Sequence, residues 1–145
     1  MKDKNWLESM KKLGAVRLFS SLYVKKSRKG ALTSAQEVDL LFRTAFAGDK
    51  MTPLELSRAM GASKTIVSRL IEDLKEKKLI TKLYNRGDKR SYSLKITEEG
   101  KEELDRMYHY YLGPLYELQE NLGEENFELL MKLIEKANKR KQSNI

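Results

Sequence analysis

Four side chains at short spacing, Lys64, Thr65, Ser68 and Arg69, combine two cations with two hydroxyls. Separations of one, three and four residues place them on one face if the segment is helical. The chemistry of such a face is hydrogen bonding. A guanidinium presents paired donors to a guanine edge, hydroxyls meet bases or phosphates, and an ammonium meets phosphate. A second set, Arg86, Lys89 and Arg90, surrounds Gly87-Asp88 in a short polar stretch. Three cations on a tight projection suit a narrow minor groove, whose potential is strongly negative. Asp88 would repel phosphate and instead reads as an orienter that pairs with a nearby cation. Each set alone is also compatible with a solvated helix face or a charged turn, so the elements that position them decide the reading.

The composition narrows the field. The chain has 145 residues, enough for one domain extended by a few helices, and its 40% hydrophobic content supports a real core. It has no cysteine, which excludes thiol chemistry, zinc–thiolate sites and disulfides. A single histidine, no glycine-rich phosphate loop and no recognisable carboxylate pair argue against catalysis, a metal or a cofactor. No stretch approaches the apolar run of about 20 residues that a membrane span needs, so a soluble, cytoplasmic protein is expected. The net charge is +8 and is unevenly spread. Residues 1–48 carry ten Lys/Arg against four Asp/Glu, and residues 58–95 carry eleven against four, whereas residues 101–145 carry seven against nine. The basic excess coincides with the two candidate sets and fits a polyanionic partner.

Caps and breakers then set the elements. A first helix is expected from Asn5 to Lys26, ended by Ser27-Arg28-Lys29-Gly30. Ser34 with Glu37 forms a capping box for a second helix, which Gly48 stops. Thr52, Pro53 and Glu55 open a short third helix that Gly61 closes. Ser63 caps a fourth, running to Lys77 with Ile66, Val67, Leu70, Ile71 and Leu74 as its apolar stripe. The period then falls from 3.6 to 2 over Leu79–Tyr84 and Ser91–Ile96, predicting two strands joined by a turn over Asn85–Lys89. Thr97 caps a long helical region, which Gly113-Pro114 should kink or break, and Asn121-Leu122-Gly123 separates a last helix. The fold class is mainly α with a small β-hairpin: a winged helix-turn-helix lobe flanked by N- and C-terminal helices. In that layout the second helix of the pair enters the major groove.

The ordered series of local motifs resembles the MarR family of transcriptional regulators. Leu32-Thr33-Ser34-Ala35-Gln36 is similar to its helix opening, and Leu56-Ser57-Arg58-Ala59-Met60-Gly61 to its first helix-turn-helix element. Thr65-Ile66-Val67-Ser68-Arg69-Leu70-Ile71 resembles its recognition helix. Asp88-Lys89-Arg90 and Ile96-Thr97-Glu98-Glu99-Gly100 resemble its wing and the entry to its long helix. The resemblance implies three segments: an N-terminal dimerisation helix and linker at 1–31, a DNA-binding lobe at 32–100, and dimerisation helices at 101–145. It implies a sequence-specific double-stranded DNA-binding regulator, acting as a repressor relieved by a small ligand. Arg90 would reach the minor groove and Asp88 would be its structural partner. Lys78 departs from the family pattern, standing where a glycine usually ends the recognition helix. A lysine held left-handed there would cost about 1 kcal/mol. Tyr84 and Arg86 replace prolines common in the wing, and Ile96 replaces a leucine.

The flanking helices carry more apolar surface than a small lobe needs: Leu104, Met107, Tyr108, Tyr111, Leu115, Leu118 and Leu122, then Phe127, Leu130, Met131 and Ile134. A two-fold homodimer would cover it and set two recognition helices about 34 Å apart on a palindromic operator. The resemblance further implies an aromatic or anionic effector, for which Tyr23, Phe42, Phe46, Tyr108 and Tyr111 are the aromatic candidates. Two other readings compete. A winged-helix protein–protein module would carry a less basic wing and apolar groups on the exposed helix face. A sequence-indifferent architectural DNA binder would show a steep salt dependence with almost no sequence discrimination.

Overall fold

Hydroxyl side chains cap the starts of four helices in the computed structural model, which describes residues 4–143 except the side chains of Asp88, Lys89 and Ser143. The order is α1 (Trp6–Tyr23), α2 (Ala35–Ala47), α3 (Pro53–Met60), α4 (Lys64–Glu76), β1 (Ile80–Asn85), β2 (Asp88–Ile96), α5 (Glu98–Leu122) and α6 (Glu124–Ser143). Ser34 and Glu37 form the expected reciprocal box at the start of α2. Thr52 and Ser63 accept from Glu55 N and Ile66 N at the starts of α3 and α4. At α3 the box is only half made, because the Glu55 carboxylate takes the Thr52 hydroxyl at 3.0 Å. Gly48 and Gly61 end α2 and α3 in the left-handed region, where a Cβ would be strained.

The chain divides into two units. One is Ser27–Tyr108. Its core is a single cluster: Leu40 and Leu41 from α2, Leu56 from α3, Val67, Leu70, Ile71 and Leu74 from α4, and Leu79, Ile80, Leu94 and Ile96 around the hairpin. Burying each such aliphatic side chain contributes about 1.5–3 kcal/mol. A small polar frame surrounds it. Lys77 reaches both carboxylate oxygens of the buried Glu37 at 3.0 and 2.9 Å. Buried Glu103 accepts from Thr33 Oγ1 at 2.5 Å and from Arg106 Nε at 3.1 Å. These carboxylates are taken out of water only because each is paired and hydrogen-bonded. Ser27 Oγ accepts from Ala35 N at 2.8 Å, so this unit takes in residues before Leu32 as well.

β1 and β2 pair antiparallel from Ile80↔Ile96 to Tyr84↔Tyr92, with an irregularity after Tyr84. The turn is tighter than the sequence suggested. Asn85 pairs with Asp88, leaving only Arg86 and Gly87 at the reversal, and Gly87 takes φ +86°. Met51 adds a bridge that alternation did not signal, its carbonyl accepting from Leu94 N at 2.9 Å.

The other unit comprises the described residues on either side of Ser27–Tyr108. None of α1's residues is buried, and the helix is shorter than the expected 5–26. Tyr23, near its end, meets the Phe19 ring at a tilt and accepts from Asn121 Nδ2 at 3.2 Å. A kink or break was expected at Gly113-Pro114; helix α5 is unbroken there. A proline interior to a helix forfeits one hydrogen bond. Here its ring is buried, and flanking Leu118 is buried as well, so packing offsets that loss. Gly123 at φ +80° is the sole residue between α5 and α6. No described helix is long and apolar enough to cross a membrane.

The end of α4 confirms the strain expected at Lys78, whose φ is +64°. Leu79 N donates to Leu74 O at 3.0 Å, closing the helix around that residue. Lys78→Gly therefore raises the free energy of unfolding by up to about 1 kcal/mol, seen as a higher urea midpoint; an unchanged or lower midpoint would refute the strain. Gly100 is needed for the opposite reason, since a Cβ there meets the Leu79 carbonyl and lies 2.6 Å from Ile96 Cγ1. Gly100→Ala lowers stability by about 1–3 kcal/mol, measurable by the same titration.

Candidate nucleic-acid interface

The sequence of α4 separates two faces. Val67, Leu70, Ile71 and Leu74 are buried and Ile66 packs partly against the core, so the helix is anchored along one stripe. Lys64, Thr65, Ser68 and Arg69 consequently stand exposed on the other. Ser63 holds the first turn by accepting from Ile66 N at 3.2 Å. That fixes which way Lys64 and Thr65 leave the helix.

The structure brings three of the expected residues to one cleft of about 490 Å³. Lys64 and Ser68 come from α4, and Arg90 comes from β2. Ser91 and Tyr92 continue the β2 wall, and Thr52, Pro53 and Leu54 at the start of α3 close the other side. The cleft therefore joins all three parts of a winged helix-turn-helix. Its charged side chains, Lys64 and Arg90, are cations, and the opening of α3 adds the positive end of a helix dipole. Such a cleft suits the phosphate backbone between the two grooves. Thr65 and Arg69 stand on the exposed face of α4 outside this cleft, and Arg86 stands at the hairpin turn. The side chains of Asp88 and Lys89, expected as wing orienter and DNA contact, lie outside the described residues.

Sequence reasoning missed Thr52, Pro53, Leu54, Ser91 and Tyr92 as cleft residues. The first three read only as a helix start, and nothing local reveals that this start faces the wing. A further contact was also missed. Lys82 Nζ lies 2.5 Å from Glu72 Oε1 and 4.7 Å from the centre of the Tyr92 ring. The hydrogen bond from Lys82, foremost, draws the Glu72 carboxyl below its ordinary value, and the same bond raises the Lys82 ammonium above its own.

The aromatic effector candidates fall in both units. Phe42, Phe46 and Tyr108 belong to Ser27–Tyr108, and Tyr23 and Tyr111 belong to the other. Phe42 and Phe46 contact each other at 5.1 Å between centroids, with Phe46 82% exposed. Tyr111 meets Tyr110 edge-on at 5.0 Å.

Residues 32–91 match the model of the MarR family. Over this lobe, 60 of its 145 residues, the chain is similar to the MarR family. A curated relative, the HTH-type transcriptional repressor YetL of Bacillus subtilis (strain 168), is 22% identical over 85 residues, covering 59% of this chain. The match spans about half of that relative's length (51%). A MarR/EmrR family transcriptional regulator from Acinetobacter sp. ADP1 is similar over 99% of both chains, with a TM-score of 0.72 and 22% identity. A MarR mutant from E. coli, complexed with operator DNA, is similar over 94% of this chain and 99% of its own, with a TM-score of 0.68 and 22% identity. At these identities the likenesses carry the fold.

If Lys64 and Arg90 each meet a phosphate, each neutralises about one condensed counterion. Lys64→Ala and Arg90→Ala should then each reduce the slope of log affinity against log salt by about one. Titrations of a labelled duplex at several salt concentrations check this, and unchanged slopes would remove both residues from the backbone contact.

Proposed function

We propose that this chain is a member of the MarR family: a sequence-specific double-stranded DNA-binding regulator of transcription that works as a homodimer in the cytoplasm. The observation that carries the reading is the cleft in which Lys64 and Ser68 of α4 meet Arg90 of the hairpin. Helix α4 enters the major groove, with Arg69 as the base-reading donor and Thr65 and Ser68 beside it. The hairpin follows the backbone into the minor groove, with Arg90, Arg86 and Lys89 as its cations and Asp88 as the wing's orienter.

Homodimerisation is supported by α1, which exposes Trp6, Leu7, Met10, Leu13, Val16, Leu18 and Leu22 and buries none of its residues. This much exposed apolar surface on one helix calls for a partner. A second copy on a two-fold axis supplies one and presents two recognition helices to a palindromic operator. Repression is favoured by the name of YetL, a transcriptional repressor. Release by an aromatic or anionic effector is the accompanying proposal, with Tyr23, Phe42, Phe46, Tyr108 and Tyr111 as the side chains to test. The exposed Phe42–Phe46 pair is its main support. A cytoplasmic site of action agrees with the absence of a membrane-spanning helix among the described residues.

The test is selection of bound fragments from genomic DNA, followed by affinity measurements on the recovered sequence. Arg69→Ala should lower affinity by about 1–3 kcal/mol and relax preference at one base position. An equal loss on every duplex would instead support an architectural binder that reads only phosphates. A purified protein that retains no duplex at low salt overturns the proposal.

A further inference from the structure

Lys82 occupies a place in the hairpin where a lysine is out of keeping with its neighbours. The register pairs it with Leu94, between the Ile80↔Ile96 and Tyr84↔Tyr92 pairs. Side chains alternate across a strand, so Ile80, Lys82 and Tyr84 share the face that carries Tyr92, Leu94 and Ile96. Ile80, Leu94 and Ile96 on that face are buried in the lobe's core. The Lys82 side chain is only 14% exposed. An aliphatic residue there would extend the core at no desolvation cost.

What the lysine adds is direction. Its ammonium lies between the carboxylate of Glu72, on the recognition helix, and the ring of Tyr92, on the opposite strand. Tyr92 also contacts Tyr84 at 5.7 Å and lines the cleft alongside Arg90, Lys64 and Ser68. Both contacts are directional, an ion pair by hydrogen-bond geometry and a cation–π contact by the ring's negative face. Greasy packing would hold the hairpin against α4 but would leave it free to slide.

We infer that Lys82 is a positioning residue: clamped by Glu72 and Tyr92, it fixes the angle between the hairpin and the recognition helix, so that Arg90 and α4 engage one duplex in register. The inference rests on the DNA-binding reading above. The raised ammonium and lowered carboxyl values follow from the same bond and keep the clamp charged throughout the neutral range.

The test turns on the sign of one substitution. Glu72→Gln removes a negative charge beside the proposed DNA face, so electrostatics alone would tighten binding. Loss of the clamp would weaken it. The probe is a duplex that the wild-type protein selects from a randomised library. Glu72→Gln and Lys82→Met are expected to weaken binding about threefold to tenfold each. Lys82→Met leaves thermal stability unchanged or higher, so affinity and stability part company. On an Arg90→Ala background the further loss from either substitution should largely vanish, because the clamp acts through the hairpin. Without DNA, amide exchange across β1 and β2 should quicken in both variants.

Glu72→Gln binding as tightly as wild type or tighter overturns the inference, as does an undiminished loss on the Arg90→Ala background. Unaltered amide exchange in both variants overturns it independently of any duplex. A wild-type protein that selects no duplex rejects the DNA-binding reading itself, while the exchange measurement still judges the clamp.

Discussion

The geometry of the winged-helix lobe depends on one crossing of the chain, where α4 ends, the hairpin begins and returns, and α5 starts. Lys78 turns left-handed, and its carbonyl accepts from Thr97 Oγ1 at 2.8 Å. The next carbonyl, that of Leu79, accepts from Thr97 N at 3.1 Å. Thr97 in turn caps α5 by accepting from Gly100 N at 3.0 Å. Three elements are therefore held by consecutive carbonyls and a single threonine. The crossing is so close that residue 100 must lack a Cβ. Backbone groups buried in such a crossing need these partners, since an unpaired one costs as much as a lost hydrogen bond.

From that point outward the restraint changes in kind. Leu79, Ile80, Leu94 and Ile96 seat the base of the hairpin in the core. Farther along β1 the residues are mostly exposed, and only Lys82 is drawn partly inward. Apolar burial holds the base strongly but without direction, because the hydrophobic effect depends on area and not on angle. Between base and tip the directional contacts of Lys82 take over. A projecting hairpin held at a fixed angle needs both kinds of restraint: bulk attachment below, and angular definition above. The described distal cations, Arg86 and Arg90, stay exposed.

Most element boundaries were legible in the sequence because capping is local chemistry. Ser34, Thr52, Ser63 and Thr97 each satisfy amides within three residues, and no distant contact is needed to recognise them. The left-handed Lys78 was legible through the family resemblance, since a glycine is usual there. Three features were not. The turn was read too wide because Asn85–Lys89 is uniformly polar, while Gly87 alone permits the reversal that pairs Asn85 with Asp88. Pro114 was read as a kink or break, and the break is absent because the local rule ignores burial of its ring. The α3 start was read as a cap without its place beside the wing, which only tertiary packing supplies. The exposed face of α4 was legible for the converse reason: its apolar stripe is complete, so everything off the stripe must point away.

Lys82 shows why a site can hide in a correctly predicted strand. In an alternating strand a lysine ordinarily marks the solvent face, and Leu83 beside it would then point inward. The register reverses this, with Lys82 drawn partly inward opposite Leu94 and Leu83 left 40% exposed. A one-residue slip would exchange the two faces and satisfy simple hydrophobic patterning better at this position. It would also remove Ile80 from the core, part Lys82 from Glu72, and break the Leu79–Thr97 crossing that fixes both strand ends. The register is thus set from the base of the hairpin, and the lysine becomes acceptable inside only because Glu72 on α4 meets it there. A polar residue that the register forces inward, and that α4 neutralises, ties α4 and the hairpin together in a way neither could achieve alone.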